Sequence, residues 1–381
     1  MEKMTITEIQ AKSILRRHKR IDSWFLSRYG MNLYRGCRHD CVYCDGRAER
    51  YYVEGKFGRD VAVKVNPIDI LRRELDPRRK RKPVKKGFII VGGGVGDSYQ
   101  TIERKYQLTR RTLELCYEYH RPVHMITKST LIKRDIDLLK KINQRSRVIA
   151  SFSFSSMNNE ISSIFEPGIP APSERLDTIR YLKNEGIACG MFLLPVIPHL
   201  TDTRGMLNES IKKAKEAGAD FIIFGGMTLK DGRQKEHFMK VLARKYEELI
   251  PEYQKLYAGN KWGQPSGSYH NKLNLLFNGL ANKFQMPKRI PLRLFKDILD
   301  ENDLVAVMLE HMDYVLKLER RRSPYGYAAN SISKLKDPLS SMKEELQKIS
   351  GVGRVTEEII LEILETGSSD YYEKILRGSE L

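Results

Sequence analysis

The sequence predicts an α/β protein built on a partial (β/α)6 TIM-like barrel, followed by a helical extension and a small C-terminal unit. Two observations predict the barrel. Short apolar runs rich in β-branched residues recur between residues 30 and 230, and amphipathic helical segments separate them. Successive βα units with right-handed crossovers form a parallel sheet. The six runs are residues 31–34, 87–91, 122–127, 148–154, 187–196 and 220–224.

The strand pattern ends after about residue 235, where long charged helical segments begin. We therefore expect the barrel over residues 1–235, the helical extension over 236–330 and the C-terminal unit over 331–381. Two of the helical segments inside the barrel end at Gly186 and Gly218, and glycine is favoured just after a helix C-terminus.

The chain is strongly basic. Its 381 residues include 67 Lys and Arg against 48 Asp and Glu, a formal net charge of +19. Such an excess attracts polyanions, so nucleic acid is the first partner to consider, although a solvated Lys-rich surface has the same composition. The N-terminal region lacks the apolar core of a signal peptide, and no stretch reaches the roughly 18 apolar residues of a membrane span. We expect a soluble, cytoplasmic protein with no membrane partner.

Three of the five cysteines, Cys37, Cys41 and Cys44, are spaced C-x3-C-x2-C, which is not typical of a secreted disulfide framework. Three thiolates on one short loop can bind three irons of a cubane cluster and leave the fourth iron open to an exogenous ligand. A structural zinc site would need a fourth ligand, for which His39 is the nearest candidate. Three cysteines that bind no metal are the other alternative.

The string NLYRGCRHDCVYCDG resembles the cluster loop of radical S-adenosylmethionine (SAM) enzymes, with Tyr43 directly before the third cysteine. The strings GGGVGDSYQTIE, ITKS, SFSFSS, FEPGIPAPSERLDTIRYLKNEGI and LLPVIPHLTD are similar to the spore photoproduct lyase-like (DNA repair photolyase-like) branch of that superfamily. The resemblance implies that the three cysteines hold a [4Fe–4S] cluster, which cleaves SAM reductively to a 5′-deoxyadenosyl radical that abstracts a substrate hydrogen. It also implies a reducing partner such as flavodoxin or ferredoxin.

By the same resemblance, the SAM-binding residues follow the predicted strands, at the end of the barrel where active sites lie. The glycine triplet after the second run stands where the family binds the SAM amino group, although such a triplet is also a common tight turn. Lys128 would pair with the SAM carboxylate, unless it is an ordinary surface lysine. Ser153 would bind the ribose, and Tyr43 would flank the adenine. The candidate set is Tyr43, Gly92, Gly93, Gly94, Lys128, Ser129, Ser153 and Arg175.

Two further patterns belong to the resemblance. Residues 97–103 match the D-x-Y-Q-x-x-E pattern of the branch, and these side chains either line the substrate side or fix the loop geometry. Glu166 and Arg175 match an EP…R pattern, in which Arg175 would form an ion pair that braces the pocket.

One feature departs from the branch. Spore photoproduct lyases carry a hydrogen-donating cysteine in the loop after the second strand, and Gly94 holds that place here. We therefore do not expect repair of the spore photoproduct by the same route. The two remaining cysteines, Cys116 and Cys189, lie in a predicted helix and a predicted buried strand, and we interpret them as core residues.

Residues 346–364, LQKISGVGRVTEEIILEIL, resemble a helix-hairpin-helix motif, with Gly351 and Gly353 between two amphipathic helices. In that motif the hairpin presents backbone N–H groups to a phosphate at the N-terminus of the second helix. Gly351, Gly353 and Arg354 are therefore the candidate contacts to nucleic acid, with DNA favoured over RNA. A turn used only for packing is the alternative.

Together these features favour an enzyme that applies radical SAM chemistry to a nucleic acid, for DNA repair or nucleotide modification. One alternative is a radical SAM enzyme that acts on a peptide or small metabolite. Another is a nucleic-acid-binding protein with a structural iron–sulfur cluster. Cleavage of SAM by the reduced protein would separate the last class from the first two.

Overall fold

The structure is a computed structural model that describes residues 5–49, 51, 55–80, 82–92, 95–259 and 262–377. The described residues form ten strands: β1 (Ile6–Ile9), β2 (Arg16–Asp22), β3 (Ser27–Met31), β4 (Tyr34–Arg35), β5 (Val61–Lys64), β6 (Phe88–Val91), β7 (Val123–Thr127), β8 (Val148–Phe154), β9 (Ala188–Val196) and β10 (Phe221–Gly226).

Seven of these strands form one curled sheet, in the order β10-β9-β8-β7-β6-β3-β2. All neighbours from β3 to β10 are parallel, whereas β2 is antiparallel to β3 at the edge. The six parallel strands make the predicted partial barrel. A second, small sheet has the order β1-β5-β4 and is an addition that the sequence patterns did not predict.

Helices connect the strands as predicted, and more helices follow the last strand. The helices of the described residues are α1 (Pro67–Leu75), α2 (Glu103–Tyr106), α3 (Leu108–Glu118), α4 (Ile136–Arg145), α5 (Asn159–Phe165), α6 (Pro172–Asn184), α7 (Arg204–Glu216), α8 (Arg233–Lys245), α9 (Ile250–Leu256), α10 (Gly267–Lys283), α11 (Glu301–Leu318), α12 (Tyr325–Ile332), α13 (Arg354–Thr366) and α14 (Asp370–Arg377). Gly186 and Gly218 follow α6 and α7 with φ of 79° and 80°, the left-handed conformation expected there. None of the described helices is long and apolar enough to cross a membrane.

The first parallel strand lies earlier than the sequence predicted. It spans Ser27–Met31, and the predicted run at residues 31–34 instead contains the end of β3 and the start of β4. The segment SRYGM has too few apolar side chains to be read as a buried strand. Its arginine, Arg28, is nevertheless buried because it pairs with Asp303 of α11, a long-range contact that local sequence does not indicate.

The two faces of the sheet have different partners, as the alternation along β8 shows. Its even-numbered residues, Val148, Ala150, Phe152 and Phe154, belong to the core shared with the surrounding helices. Its odd-numbered residues face the inside of the barrel, where Ser151 and Ser153 make hydrogen bonds with neighbouring strands. The alternating serines Ser151 and Ser153 of β8 therefore lie on the inner face.

Helices α11 to α14 close the barrel at the amino ends of its strands. They share one apolar core with residues at the start of three strands, a core that joins Phe88, Ile149 and Phe221 with Val305, Met308, Ile332, Ile360 and Ile375. The C-terminal unit therefore lies at the opposite end of the barrel from the loops that follow the strands. The carboxyl ends of the strands are left for the candidate site.

Candidate active site

A cavity of about 270 Å³ lies at the carboxyl ends of the strands, beneath the cysteine loop. Six of the predicted site residues line it: Cys37, Cys41, Cys44, Tyr43, Lys128 and Ser153. These residues come from the loop after β4 and from the ends of β7 and β8, so the fold brings together groups that are far apart in sequence. Much of the remaining lining is apolar, including Phe25, Ile126, Phe192 and Leu194.

All three cysteines of the loop are free thiols; Cys37 and Cys41 are buried and Cys44 is half-buried. Burial raises the pKa of Cys37 to about 12, and the nearby charges of Asp97 and Cys44 act in the same direction. Thiolates in such a setting need compensating positive charge, which bound iron supplies. The donor set therefore fits a cubane cluster in which each thiolate binds a different iron. Among the described residues, no three or more His, Cys, Asp or Glu side chains converge on a site for a metal ion, so the fit of the cysteines to a cluster rests on their chemistry and spacing.

The cysteine loop is held by hydrogen bonds from two distant glutamines. Gln100 accepts from the Arg38 N–H at 3.0 Å and donates to the Gly36 carbonyl at 3.2 Å. Gln234, at the start of α8, donates to the Tyr43 carbonyl at 2.8 Å. Both glutamines are fully buried, so these bonds are protected from water and fix the path of the loop.

A buried carboxylate lies under Tyr43. The Glu166 side chain accepts hydrogen bonds from the Tyr43 hydroxyl, from Ser155 Oγ at 3.0 Å and from Arg175 Nη2 at 2.6 Å. Lys128 Nζ lies 3.6 Å from the same carboxylate. Burial would raise the pKa of Glu166, but the charges of Arg175 and Lys128 together with these hydrogen bonds outweigh it and lower the pKa to about 2. Glu166 is therefore an anion that orients Tyr43 and both cations.

The Lys128 ammonium projects into the cavity. It donates to Ser153 Oγ at 2.5 Å, and Ser153 Oγ in turn donates to the Leu194 carbonyl at 2.9 Å. The backbone N–H of Lys128 donates to Asp97 at 2.8 Å, which fixes the start of the side chain. With 14% of its side chain exposed, Lys128 is a cation inside the cavity and not a surface lysine. This arrangement suits a ligand carboxylate.

Three predicted residues do not line the cavity directly. Gly92 has φ of 77°, and a Cβ there would lie 2.5 Å from the Ile126 carbonyl oxygen, so the close approach of two strands requires glycine. Ser129 accepts from the Leu131 N–H at 3.2 Å and caps the turn after β7. Arg175 is fully buried behind the cavity wall, where it forms the ion pair with Glu166. Gly93 and Gly94 lie outside the described residues.

The D-x-Y-Q-x-x-E residues fix the loops around the cavity. Asp97 lines the cavity and accepts from Thr127 Oγ1 at 2.8 Å. Tyr99 donates to Asp135 at 3.1 Å, and Glu103 pairs with Arg134 at 2.8 Å, both away from the cavity. Of the two interpretations left open by the sequence, the contacts of Tyr99 and Glu103 favour loop geometry.

Several cavity residues were not singled out from the sequence. Phe25 precedes the first predicted strand, and its ring stacks on Phe192 at 5.3 Å. Beside them His124 bonds through Nδ1 to the Phe25 carbonyl at 2.8 Å, and through Nε2 to Ser151 Oγ at 2.8 Å. Burial lowers the pKa of His124 to about 4, so the ring is neutral, its Nδ1–H donates and its Nε2 accepts. The sequence signal for His124 was its place in the third apolar run, four residues before Lys128, so that alternation puts both on one face.

The remaining cysteines are fully buried in the main core. Cys116 lies in α3 and Cys189 in β9, and neither lines the cavity. Burial raises the pKa of both thiols. Both positions are those expected of core residues.

The glycine hairpin lies at the other end of the barrel. Gly351 has φ of 90°, and a Cβ there would collide with the Tyr327 ring at 2.4 Å. Gly353 precedes the first residue of α13, and no described atom lies within 4 Å of the place where its Cβ would be. The Arg354 side chain is 86% exposed. The N-terminus of α13 is therefore open to a ligand from solvent.

Two sequence profiles match the chain: that of the radical SAM superfamily over residues 31–208 and that of the helix-hairpin-helix domain over residues 300–369. An uncharacterized protein of Mycobacterium tuberculosis is 32% identical over 243 residues, which cover 63% of this chain and 70% of the relative. An uncharacterized protein of Methanocaldococcus jannaschii is 30% identical over 215 residues, which cover 56% of this chain and 76% of the relative.

The chain belongs to the radical SAM superfamily and is an enzyme. Its fold is that of spore photoproduct lyase, whose complex with the dinucleoside spore photoproduct superposes with a TM-score of 0.54 at 15% identity over 74% of this chain and 79% of the other. A mutant of that lyase with bound AdoMet and the dinucleoside spore photoproduct has a TM-score of 0.52 at 17% identity, with the same coverage. The cofactors of the superfamily are a [4Fe–4S] cluster and SAM, and its enzymes need a reductant.

Proposed function

We propose that Cys37, Cys41 and Cys44 bind the [4Fe–4S] cluster and that the chain cleaves SAM reductively in order to modify or repair a nucleic acid. The observation that carries the proposal is the shared cavity, in which the three thiols face the Lys128 ammonium and the Ser153 hydroxyl. When bound, the cluster and SAM supply a 5′-deoxyadenosyl radical that abstracts a hydrogen atom from the substrate.

The chain's own residues bind SAM and orient it in the cavity. Lys128 pairs with the SAM carboxylate, since among the described lining residues its ammonium is the Lys or Arg cation. Ser153 binds the ribose hydroxyls and Tyr43 flanks the adenine. Gly92, Gly93 and Gly94 stand where the family binds the SAM amino group, and we propose that role for them on the resemblance alone. Arg175 holds Glu166, and Glu166 holds Tyr43, so Arg175 acts by positioning.

The cavity walls exclude water from the reacting groups. Phe25, Phe192, Ile126 and Leu194 line the side that faces the barrel interior. A radical in a dry apolar enclosure is protected from quenching by solvent and side reactions. The substrate C–H bond must reach the same space, because hydrogen abstraction requires close contact between the reacting atoms.

The C-terminal unit supports a nucleic-acid substrate. The helix-hairpin-helix match, the open N-terminus of α13 and the net charge of +19 all suit a polyanion. We propose that residues 331–381 carry the phosphate contacts through Gly351, Gly353 and Arg354, with DNA preferred, and that residues 1–235 carry the chemistry. Flavodoxin or ferredoxin would supply the electron.

The test is anaerobic reconstitution with iron and sulfide. The protein should bind about four irons per chain and release 5′-deoxyadenosine from SAM under dithionite. Replacement of Cys37, Cys41 or Cys44 by Ala should abolish both properties, because two thiolates do not hold the cubane with one open iron; Cys116→Ala is the control that should retain them. Full SAM cleavage by all three loop variants would refute the proposal that these cysteines bind the cluster. If the native protein cleaves SAM but binds no nucleic acid at low salt, a peptide or metabolite substrate replaces the nucleic acid.

A further inference from the structure

The edge strand β2 is a basic strip that runs the full depth of the barrel. Its sequence is RRHKRID, and Arg16, Arg17, Lys19 and Arg20 are all exposed. Arg16 lies opposite Gly30, near the carboxyl end of β3, and Asp22 lies opposite Ser27 at the amino end. One end of β2 is therefore at the level of the cysteine loop, and the other is at the level of the C-terminal helices.

A groove of about 650 Å³ lies between the lower half of β2, helix α11 and the start of α12. We call it the β2 groove. It is lined by cations and aromatic rings, among them Lys19, Arg20, Trp24, Arg289 and Tyr314. Gly326 also lines it, and the next residue, Tyr327, is 61% exposed and packs against the hairpin glycine Gly351. The β2 groove thus leads to the hairpin.

Arg289 is a buried cation, and its Nε and Nη1 have no hydrogen-bond partner among the described residues. Only 2% of the residue is exposed, and its guanidinium lies 3.4 Å from the centre of the Tyr314 ring and 4.5 Å from that of Trp24. Within the part of the chain that the structure describes, neither its Nε and Nη1 nor the Tyr314 hydroxyl has a hydrogen-bond partner. Burial lowers the pKa of Arg289 to about 10. Buried cations and donors of this kind are compensated in proteins by an anion or by water.

The carboxylates of the β2 groove are already engaged. Asp22 accepts from the Trp24 N–H at 2.9 Å, Glu310 lies 3.1 Å from Arg20, and Asp313 lies 2.6 Å from Lys317. Among the described residues, Lys19 and Arg289 form no ion pair. The groove therefore offers the exposed Lys19 ammonium to a ligand that carries negative charge, and the buried Arg289 guanidinium adds a positive charge in the groove wall.

We propose that the β2 groove binds the phosphodiester backbone of a nucleic acid and leads it from the hairpin towards the cavity end of the barrel. The proposal rests on the nucleic-acid substrate proposed above. Its physical basis is the distance between the two functional parts: the hairpin and the cavity lie at opposite ends of the barrel, so a chain anchored at the hairpin must pass along one side. The β2 edge is a side where exposed cations extend from one end to the other.

The experiment measures binding of fluorescein-labelled DNA oligonucleotides of increasing length, as single strands and as duplexes, by anisotropy. Lys19→Glu should weaken binding of the long oligonucleotides about tenfold and leave the shortest bound ones unaffected, because only the long ones reach past the hairpin. The slope of log K against log salt should become shallower by about 0.7 for each lost contact on single strands and about 0.9 on duplexes. Lys141→Glu, on the exposed face of α4 and outside the groove, is the matched control and should change neither the affinity for DNA nor the salt slope.

Arg289→Met tests the buried cation of the groove wall. It should also weaken binding of the long oligonucleotides and leave the shortest bound ones unaffected. Because Arg289 is buried, the folding of the Arg289→Met variant is checked by thermal unfolding. Lys19 is exposed, so Lys19→Glu tests the groove even if Arg289→Met does not fold. SAM cleavage under dithionite should be unchanged in Lys19→Glu. Unchanged binding of every length by Lys19→Glu overturns the proposal, and self-association of that variant would then show that the charges only protect a sheet edge. If the native protein binds no DNA, the proposal of a nucleic-acid substrate is refuted. If Gly353→Val weakens DNA binding and Lys19→Glu does not, only the proposal for the β2 groove is refuted.

Discussion

Arg175 and Glu166 form a fully buried ion pair, with Nη2 of the arginine 2.6 Å from the carboxylate, directly behind the wall of the cysteine cavity. Arg175 Nη1 also donates to the Ser153 carbonyl at 2.6 Å, so one guanidinium ties the carboxylate under Tyr43 to the strand that carries Ser153. The pair links the cysteine loop to the barrel wall.

Arg175→Met should therefore destabilise the protein more than a surface change does. Removing the arginine leaves the buried Glu166 carboxylate with the more distant Lys128 ammonium, 3.6 Å away, and we expect the free energy of unfolding to fall by about 3 kcal/mol, the lower end of the range for a broken buried ion pair. Urea unfolding of the apoprotein measures this. The double variant Arg175→Met/Glu166→Gln should recover part of the loss, because a neutral amide then replaces the fully buried carboxylate; a double variant no more stable than the single one would contradict this account.

Lys128→Ala should weaken SAM binding by about 1–3 kcal/mol, the range of a lost charge-assisted hydrogen bond. The iron content should be unchanged, because Lys128 is not a candidate ligand. Equilibrium dialysis with labelled SAM gives the affinity, and Lys141→Ala is the control that keeps native affinity. Native affinity in Lys128→Ala would show that the ammonium serves Glu166 and Ser153 only.

His124 predicts a pH dependence of stability. Its pKa is lowered by burial to about 4 in the folded protein, against an ordinary value of 6.5, so the unfolded chain binds the proton more readily. The neutral ring makes its full contribution to the free energy of unfolding above pH 6.5. That contribution is lost as the pH falls towards 4, and the free energy then changes by at most about 1.4 kcal/mol per pH unit. Burial also lowers the pKa of His311, to about 3, so His311 contributes in the same window. His124→Gln should therefore reduce the slope of the unfolding free energy against pH there without abolishing it, whereas His120→Gln, at an exposed position, should leave the slope unchanged. Equal slopes in the native protein and His124→Gln would assign the dependence to other groups.

Gly353→Val tests the hairpin. A branched side chain before α13 obstructs the N–H groups that would hold a phosphate, so DNA binding should fall about tenfold, or about 1.4 kcal/mol. SAM cleavage in the absence of substrate should continue, because the cavity lies at the other end of the barrel. A shallower salt dependence in the variant would locate phosphates at the hairpin, whereas an unchanged salt slope would move the contacts to other basic surfaces, such as residues 78–86.

The cysteine loop could be recognised from the sequence because its signal is local spacing, and its role in binding a cluster stays a prediction. Cys37, Cys41 and Cys44 are close along the chain, and any compact loop brings their thiols to one side. The parallel strands from β6 onward were predicted for a similar reason: a buried strand is a run of apolar residues whatever lies around it. The glycine hairpin is likewise a local pattern.

What only the tertiary structure decided is how distant residues are placed. The first strand was predicted too late because Arg28 and Ser27 are polar, and they are buried only through long-range contacts such as the pair with Asp303. The inward position of Phe25, the burial of Arg289 between Trp24 and Tyr314, and the separation of the hairpin from the cavity follow from how α11 packs against the amino ends of the strands. Spacing along the chain reports only neighbouring residues, whereas packing depends on the summed contacts of segments that are hundreds of residues apart, as in the pair of Arg28 with Asp303.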